Sequence, residues 1–201
     1  MPAQRPDAIA ELRSTLSDYA RRWPEEAGHT APFLELLAET DAARGALQHD
    51  AGVWPDPFRR ERLAGHFTGS AWLVDRAGAR VLLTHHRKLG RWLQLGGHAD
   101  GDRDLAAVAL KEAEEESGLT GLSVEPELFD LDRHWIPERG DVPGHWHYDL
   151  RYVVRAGDSE AFVVGEESLA LAWREIDAVL ADPDSDDSMR RLARKWLARG
   201  G

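Results

Sequence analysis

One segment in the middle of the chain, residues 97–119, constrains the fold more than any other, because it combines a helical repeat with glycines at both ends. Its apolar residues recur at the spacing of a single helix face, which predicts a helix over residues 104–117. Gly118 lies where a left-handed residue ends a helix, and the glycine pair 96–97 allows the backbone to approach a ligand closely. The residues predicted to be buried are Leu105, Val108, Ala109 and Ala113.

Three carboxylates of this helix fall on or beside its apolar face. Glu112 and Glu116 lie inside the predicted apolar arc and Glu115 lies at its edge, whereas Glu114 points to the opposite side. Acids that share a buried face repel one another and are costly to remove from water. A hard divalent cation with oxygen ligands, Mg²⁺ or Mn²⁺, would remove that conflict. A solvated run of glutamates is the alternative interpretation.

The same segment resembles the Nudix box, Gly-x5-Glu-x7-Arg-Glu-U-x-Glu-Glu-x-Gly-U, where U is a bulky aliphatic residue. Aligned without gaps, Gly97 takes the first glycine, and the final Gly-U falls on Gly118 and Leu119. The last three acids of the box fall on Glu112, Glu115 and Glu116. The resemblance implies an α/β (α+β) fold, the Nudix-like sandwich with a mixed sheet between helices.

The resemblance also implies a metal-dependent hydrolase that cleaves a diphosphate linkage in a nucleoside diphosphate derivative or a similar organic pyrophosphate. The metal ligands for Mg²⁺ or Mn²⁺ would be Glu112, Glu115, Glu116 and the carbonyl of Gly97. The catalytic base would be Glu115, Glu116 or the later loop residue Glu166. The alternative is a Nudix-like module that binds a nucleotide as a sensor, with weak turnover or none.

Three positions depart from the box. Arg103 replaces its first Glu, Lys111 replaces its Arg, and the small Ala113 replaces a bulky aliphatic residue. Two basic residues cannot form the Glu–Arg brace between loop and helix that the resemblance implies. Lys111 can instead reach Glu115 one turn later, or an aspartate of the loop, although lysine lacks the planar fork of arginine. These departures keep the sensor alternative open.

Candidates for substrate binding come from a segment that alternates strictly between polar and apolar residues. As a strand, it places His145, His147, Asp149 and Arg151 on one face. That face is either ordinary solvated surface or the border of a cleft, where its side chains meet phosphates or a further metal ion. We predict substrate contacts there, at His98 beside Gly97, and at Arg87 in a basic cluster that an exposed turn would explain equally well.

The rest of the pattern divides the chain into an N-terminal helical extension, residues 1–57, and a Nudix-like domain, residues 58–201. Apolar spacing predicts helices between residues 7 and 48, interrupted at Trp23-Pro24 and resumed with Thr30 as the N-cap. A hairpin around residues 71–84, further strands and a C-terminal helix follow. The N-terminal helices would either cover the cleft or form a homodimer interface.

Composition excludes several other classes of protein. The 201 residues carry 25 Lys and Arg against 36 Asp and Glu, a net charge of −11, which disfavours nucleic acid as a partner. The absence of cysteine excludes disulfides and a thiol nucleophile. No apolar run reaches the ~18 residues of a membrane span. We therefore expect a cytoplasmic protein that acts on a small phosphorylated molecule, a nucleotide by resemblance.

Overall fold

A computed structural model describes residues 8–47, 56–87, 90–165 and 168–199, apart from the side chains of residues 42–47 and 168. Among the described helices, none is long and apolar enough to cross a membrane. The elements in chain order are α1 Ala8–Arg22, a 3-10 turn Pro24–Glu26, α2 Ala27–Leu47, β1 Gly65–Val74, β2 Arg80–His86, β3 Arg91–Leu93, β4 Leu95–His98, α3 Leu105–Ser117, β5 Ser123–Ile136, β6 His145–Arg155, β7 Ser168–Glu175, α4 Ile176–Ala181 and α5 Asp187–Arg199.

The N-terminal helices differ from the prediction at one boundary. The predicted apolar stripe of α1 is buried, with Leu16 and Tyr19 at 1% exposure or less. The break after Trp23 is confirmed, but α2 begins at Ala27 and not after Thr30. The 3-10 turn that starts at Pro24 leads directly into α2, so Thr30 lies inside the helix, where it is buried. Its side chain therefore does not mark the start of the helix.

The strands form one sheet of seven, as the mixed α/β prediction requires. The order is β3-β2-β1-β6-β5, with β4 paired to β1 and β7 paired to β2. The predicted hairpin is confirmed, because β1 and β2 pair antiparallel with Val74 opposite Val81. Asp75 stabilises the turn by accepting hydrogen bonds from the amides of Ala79 and Arg80 at 2.8 and 3.1 Å.

The described residues form two compact units. The first comprises residues 8–47, 56–68, His98–Leu105 and Leu131–Leu150. Its core is aromatic: the ring of Phe33 in α2 meets Tyr148 edge-on at 5.4 Å, and Phe58 packs on Phe67 at 4.9 Å. Burial of Phe33 against these rings makes α2 part of this core rather than a detached arm.

The second unit comprises residues 69–87, 90–97, Ala106–Asp130, 151–165 and 168–199. Its core joins the second halves of β1 and β6 to α4 and α5, with Trp72, Phe129 and Trp196 as the largest members. Asp186 caps α5 by accepting a hydrogen bond from the Met189 amide at 2.9 Å. The second unit also contains most of α3, including all of its glutamates.

Candidate functional site

The glycine pair of β4 lies directly against two glutamates of α3. The amide of Gly96 donates a hydrogen bond to Oε1 of Glu116 at 2.7 Å. A Cβ atom at Gly97 would overlap the carboxylate of Glu112, and one at Gly96 would overlap Ser70. Only glycine therefore lets this strand approach α3 so closely. Two carboxylates consequently converge on one short stretch of backbone in the second unit.

The faces of α3 are those that the sequence predicts. The four apolar residues predicted to be buried are at most 3% exposed. Glu112 and Glu116 are half-buried, whereas Glu114 and Glu115 are exposed. Gly118 ends the helix with a positive φ of 67°, as predicted. The helix therefore presents Glu112 and Glu116 at the margin of its packed face.

Lys111 is paired with two of the acids. Its Nζ lies 3.6 Å from Glu112 and 3.4 Å from Glu115, which confirms the predicted contact one turn along the helix. Partial burial works against the charged ammonium, but the two glutamates outweigh it and raise the pKa of Lys111 above its ordinary value. Lys111 therefore offsets part of the repulsion between the carboxylates.

Arg103, the other basic departure, belongs to a different contact. Its guanidinium donates to Asp56 at 2.8 Å and stacks over the ring of Phe58 at 4.8 Å. Nearby, Arg60 makes two hydrogen bonds to Asp100, at 2.7 and 2.6 Å. These contacts, all in the first unit, anchor the loop after β4 to residues 56–60. The loop is thus held by arginine–aspartate pairs.

A cluster of histidines occupies the first unit. His66 of β1, His98 of β4 and His147 of β6 place one ring nitrogen each within 4.8 Å of the others. Two further rings, His145 and His134, lie 5.1 and 5.4 Å from His147 between centroids. Burial is the main cause that lowers the pKa of His98 to about 4 and that of His147 to about 2. The pKa of His66 is lowered for the same reason, so these rings are neutral at neutral pH.

The predicted polar face of β6 is buried rather than solvated. His145, Asp149 and Arg151 are 7%, 1% and 3% exposed, so the interpretation as solvated surface is wrong for them. Asp149 accepts a hydrogen bond from the hydroxyl of Thr68 at 2.8 Å. The alternation of the strand is correct, but this face is covered by other parts of the protein.

The prediction that Arg151 contacts the substrate is wrong. Its guanidinium donates to Ser188 at 2.6 Å and to Asp130 at 3.4 Å. Asp130 is fully buried and also accepts hydrogen bonds from Arg191 and Lys195, each at 2.7 Å. Burial alone would raise the pKa of Asp130, but the three cations hold it below its ordinary value. Arg151 is therefore part of a buried ion cluster and not available to a phosphate.

Comparison with known proteins decides the family. A family model of the NUDIX domain matches residues 65–196, more than half of the chain. The chain belongs to the Nudix family. No curated protein sequence matches it.

Three solved structures illustrate the shared Nudix fold. A Nudix-family hydrolase from Clostridium perfringens is 24% identical, with a TM-score of 0.50 over 67% of this chain and 97% of that chain. An Ap4A hydrolase of C. elegans, in a binary complex, is 17% identical, with a TM-score of 0.51 over 66% and 96%. A UDP-X diphosphatase is 15% identical, with a TM-score of 0.50 over 97% and 96% of the two chains. These likenesses confirm the predicted fold.

Arg87 and Glu166, two further predicted site residues of this Nudix protein, stay predictions. Arg87 is exposed in the turn after β2, which agrees with the simpler interpretation of its basic cluster. Glu166 lies outside the described residues. The sequence did not single out His66 of β1 or Asp130 and His134 of β5, because their partners are distant along the chain. Only the pairing of distant strands brings them to their partners.

Proposed function

We propose that this Nudix protein is a pyrophosphohydrolase that requires Mg²⁺ or Mn²⁺ and cleaves the diphosphate linkage of a nucleoside diphosphate derivative. Family membership supports the hydrolysis of pyrophosphates, and the names of the Ap4A hydrolase and the UDP-X diphosphatase favour a nucleotide substrate. One observation carries the proposal: Glu112 and Glu116 converge on the backbone of Gly96 and Gly97.

The residues of this region fit a hard divalent cation. Glu112, Glu115 and Glu116 offer carboxylate oxygens and Gly97 offers a carbonyl oxygen, which are the donors that Mg²⁺ and Mn²⁺ prefer. The space that a Cβ at Gly97 would fill is occupied by the Glu112 carboxylate, so the glycine is required for this arrangement. When bound, such a cation neutralises the charge of a diphosphate and lowers the pKa of a coordinated water.

The chain's own residues then have separate roles. The hydrogen bond from the Gly96 amide fixes the orientation of Glu116, whereas Glu115 is exposed and contacts Lys111. A carboxylate must take the proton of the attacking water, and Glu115, Glu116 and Glu166 stay our candidates. Arg87, His98 and His147 stay proposed substrate contacts, whereas His145 and Asp149 are withdrawn because they are buried, like Arg151. We also propose a cytoplasmic location, and the formation of a homodimer as one role of the 1–57 extension.

The test is chromatographic detection of the nucleotide products formed from a panel of nucleoside diphosphate sugars, dinucleoside polyphosphates and nucleoside triphosphates, with Mg²⁺ or Mn²⁺. We expect the double variant Glu115→Gln/Glu116→Gln to lose at least ~100-fold in turnover, the scale of general-base and metal contributions. The matched control is Glu114→Gln, which removes an exposed acid from the opposite side of the same helix. It should retain activity within about twofold, because its carboxylate does not approach β4.

Two results would contradict the proposal. Undiminished turnover in the double variant would remove the carboxylates from the reaction. Nucleotide binding by the wild-type protein, without hydrolysis of any member of the panel under either cation, would instead support the sensor alternative.

A further inference from the structure

The histidine cluster of the first unit has the composition of a metal site different from that on α3. His66, His98 and His147 come from three strands, and their ring nitrogens lie within 4.8 Å of one another. His66 is 2% exposed, so its ring is almost completely removed from water. Three imidazoles brought together in a covered location need a partner for each nitrogen.

One nitrogen of the cluster has no such partner. Nδ1 of His66 lies 3.2 Å from the carbonyl oxygen of Arg62, so in the neutral ring Nδ1–H donates there and Nε2 carries a lone pair. Within the part of the chain that the structure describes, this buried Nε2 has no hydrogen-bond partner. A buried acceptor left unsatisfied is costly, and a cation would satisfy it.

His145 shows the same orientation. Its Nδ1 lies 2.8 Å from the carbonyl oxygen of Pro143, which leaves the lone pair on Nε2, 3.2 Å from Nε2 of His147. Nitrogen ligands of one tetrahedral ion are about 3.3 Å apart when metal–nitrogen bonds measure ~2.0–2.1 Å. Metal-binding histidines characteristically donate the opposite N–H to a backbone carbonyl, as His66 and His145 do here.

The donor type selects the ion. Imidazole nitrogens favour Zn²⁺ and its neighbours Co²⁺, Ni²⁺ and Fe²⁺, whereas Mg²⁺ prefers oxygen. A neutral imidazole has one nitrogen with a lone pair, and this is the form that coordinates a metal. The cluster is therefore suited to an ion of the zinc class and not to the Mg²⁺ or Mn²⁺ proposed for the α3 carboxylates.

We propose that His66, His98 and His147 bind a divalent transition-metal ion of the zinc class, with His145 beside the fourth coordination position. The ion would connect β1, β4 and β6 inside the first unit. This site uses none of the α3 carboxylates, so binding of the ion can be measured apart from hydrolysis, although His98 and His147 are also proposed substrate contacts.

The experiment uses tag-free, full-length protein that has been freed of metal with a chelator and is then titrated with Co²⁺. We expect one equivalent to bind with the intense visible absorption of low-coordinate Co²⁺, to be displaced by Zn²⁺ and to persist in millimolar Mg²⁺. His98→Gln/His147→Gln should weaken Co²⁺ binding by at least ~100-fold. His29→Gln, at an exposed histidine of α2, is the matched control and should retain the wild-type Kd.

A separate arm keeps the two proposed sites distinguishable. Glu115→Gln/Glu116→Gln should keep the intense Co²⁺ absorption of the wild type, even though hydrolysis is lost. In case the histidine variants do not fold, ¹⁵N imidazole spectra of the wild-type protein should show the Nε2 resonance of His66 shift on addition of Zn²⁺. Absence of Co²⁺ and Zn²⁺ binding, an unshifted His66 resonance, or binding that survives in folded His98→Gln/His147→Gln would overturn the proposal.

Discussion

Two buried polar clusters in this protein differ in whether their members satisfy one another. In the second unit, the carboxylate of Asp130 is surrounded by Arg151, Arg191 and Lys195, at distances from 2.7 to 3.4 Å. In the first unit, the buried Nε2 of His66 in the histidine cluster has no hydrogen-bond partner among the described residues. The charge of Asp130 is therefore compensated inside its own cluster, whereas the histidine cluster has a nitrogen lone pair that can bind a cation.

This difference separates an arrangement that supports the fold from one that suits a ligand. A buried carboxylate with several cations has no unmet requirement, and removing it leaves those cations uncompensated. Replacing a buried imidazole that has an unsatisfied nitrogen with an apolar group costs the folded protein little stability. Binding of a cation to that nitrogen stabilises the folded protein. Burial and polarity alone would not distinguish the two clusters, since both contain residues below 4% exposure.

The largest expected effect is that of Asp130→Asn. The substitution keeps the shape of the side chain but leaves three buried or partly buried cations without their anion. We expect a loss of about 3–5 kcal/mol in the free energy of unfolding, measured by urea denaturation at pH 7. Added Zn²⁺ should not reduce the difference from wild type. A loss below about 1 kcal/mol would mean that the three cations do not need Asp130 to compensate their charge.

The same variant should also change the dependence of stability on pH. The pKa of Asp130 is held below its ordinary value of 3.8, so its contribution is complete above the unfolded pKa and is lost as pH falls through the folded pKa. The gap between wild type and Asp130→Asn should therefore be constant from about pH 7 to 5 and should narrow below about pH 4. Urea denaturation across this range measures the gap. If the difference in the free energy of unfolding between wild type and Asp130→Asn widened in acid, the pKa of Asp130 would not be lowered in the folded protein.

A smaller effect is expected at the other cluster. His66→Leu removes the unpartnered nitrogen and replaces the ring with an apolar side chain of similar bulk. In chelated protein, we expect the free energy of unfolding to change by about 1 kcal/mol or less, because the lost bond to Arg62 is offset by the removal of an unsatisfied group. The rise in melting temperature with Zn²⁺ should disappear. A loss as large as that of Asp130→Asn would show that the two clusters are equivalent.

The smallest effect should come from an ion pair in solvent. Asp158, which is fully exposed, accepts a hydrogen bond from Arg76 at 3.1 Å. Asp158→Asn should leave the free energy of unfolding unchanged within the error of a urea denaturation, because exposed pairs are screened by water and salt. It serves as the control for Asp130→Asn in the same unit. A measurable loss would show that charge alone, without burial, explains the larger effect.

Much of the local structure could be predicted from the sequence. The faces of α3, its end at Gly118 and the β1–β2 hairpin follow from residue spacing and turn chemistry, which act over a few neighbours. The predicted start of α2 at Thr30 is wrong, because the 3-10 turn that begins at Pro24 leads into the helix before the capping signal at Thr30. The placement of Glu112 beside Gly97 agrees with the box, because its glycine and its acids are both encoded in one short segment.

The histidine cluster and the Asp130 cluster were beyond such reasoning for a physical reason. His66 meets His98 and His147 only because three strands are aligned in the sheet, and one strand's alternation does not specify which neighbours cover it. Arg151 illustrates the same limit: its strand face was correct, but the aspartate on β5 that binds it is not local in sequence. Contacts between distant segments depend on strand register, which single-strand patterns leave undetermined.

The contact between Arg103 and Asp56 has an evolutionary consequence. These residues are 47 positions apart in sequence, yet each supplies the charge that the other needs. Arg103→Glu alone, which restores the consensus of the box, would set two carboxylates against each other beside Phe58. Asp56→Arg alone would do the same with two cations. The two positions should therefore covary during descent, and a lineage that returns to the consensus avoids a like-charged pair only if Asp56 is replaced first or at the same time.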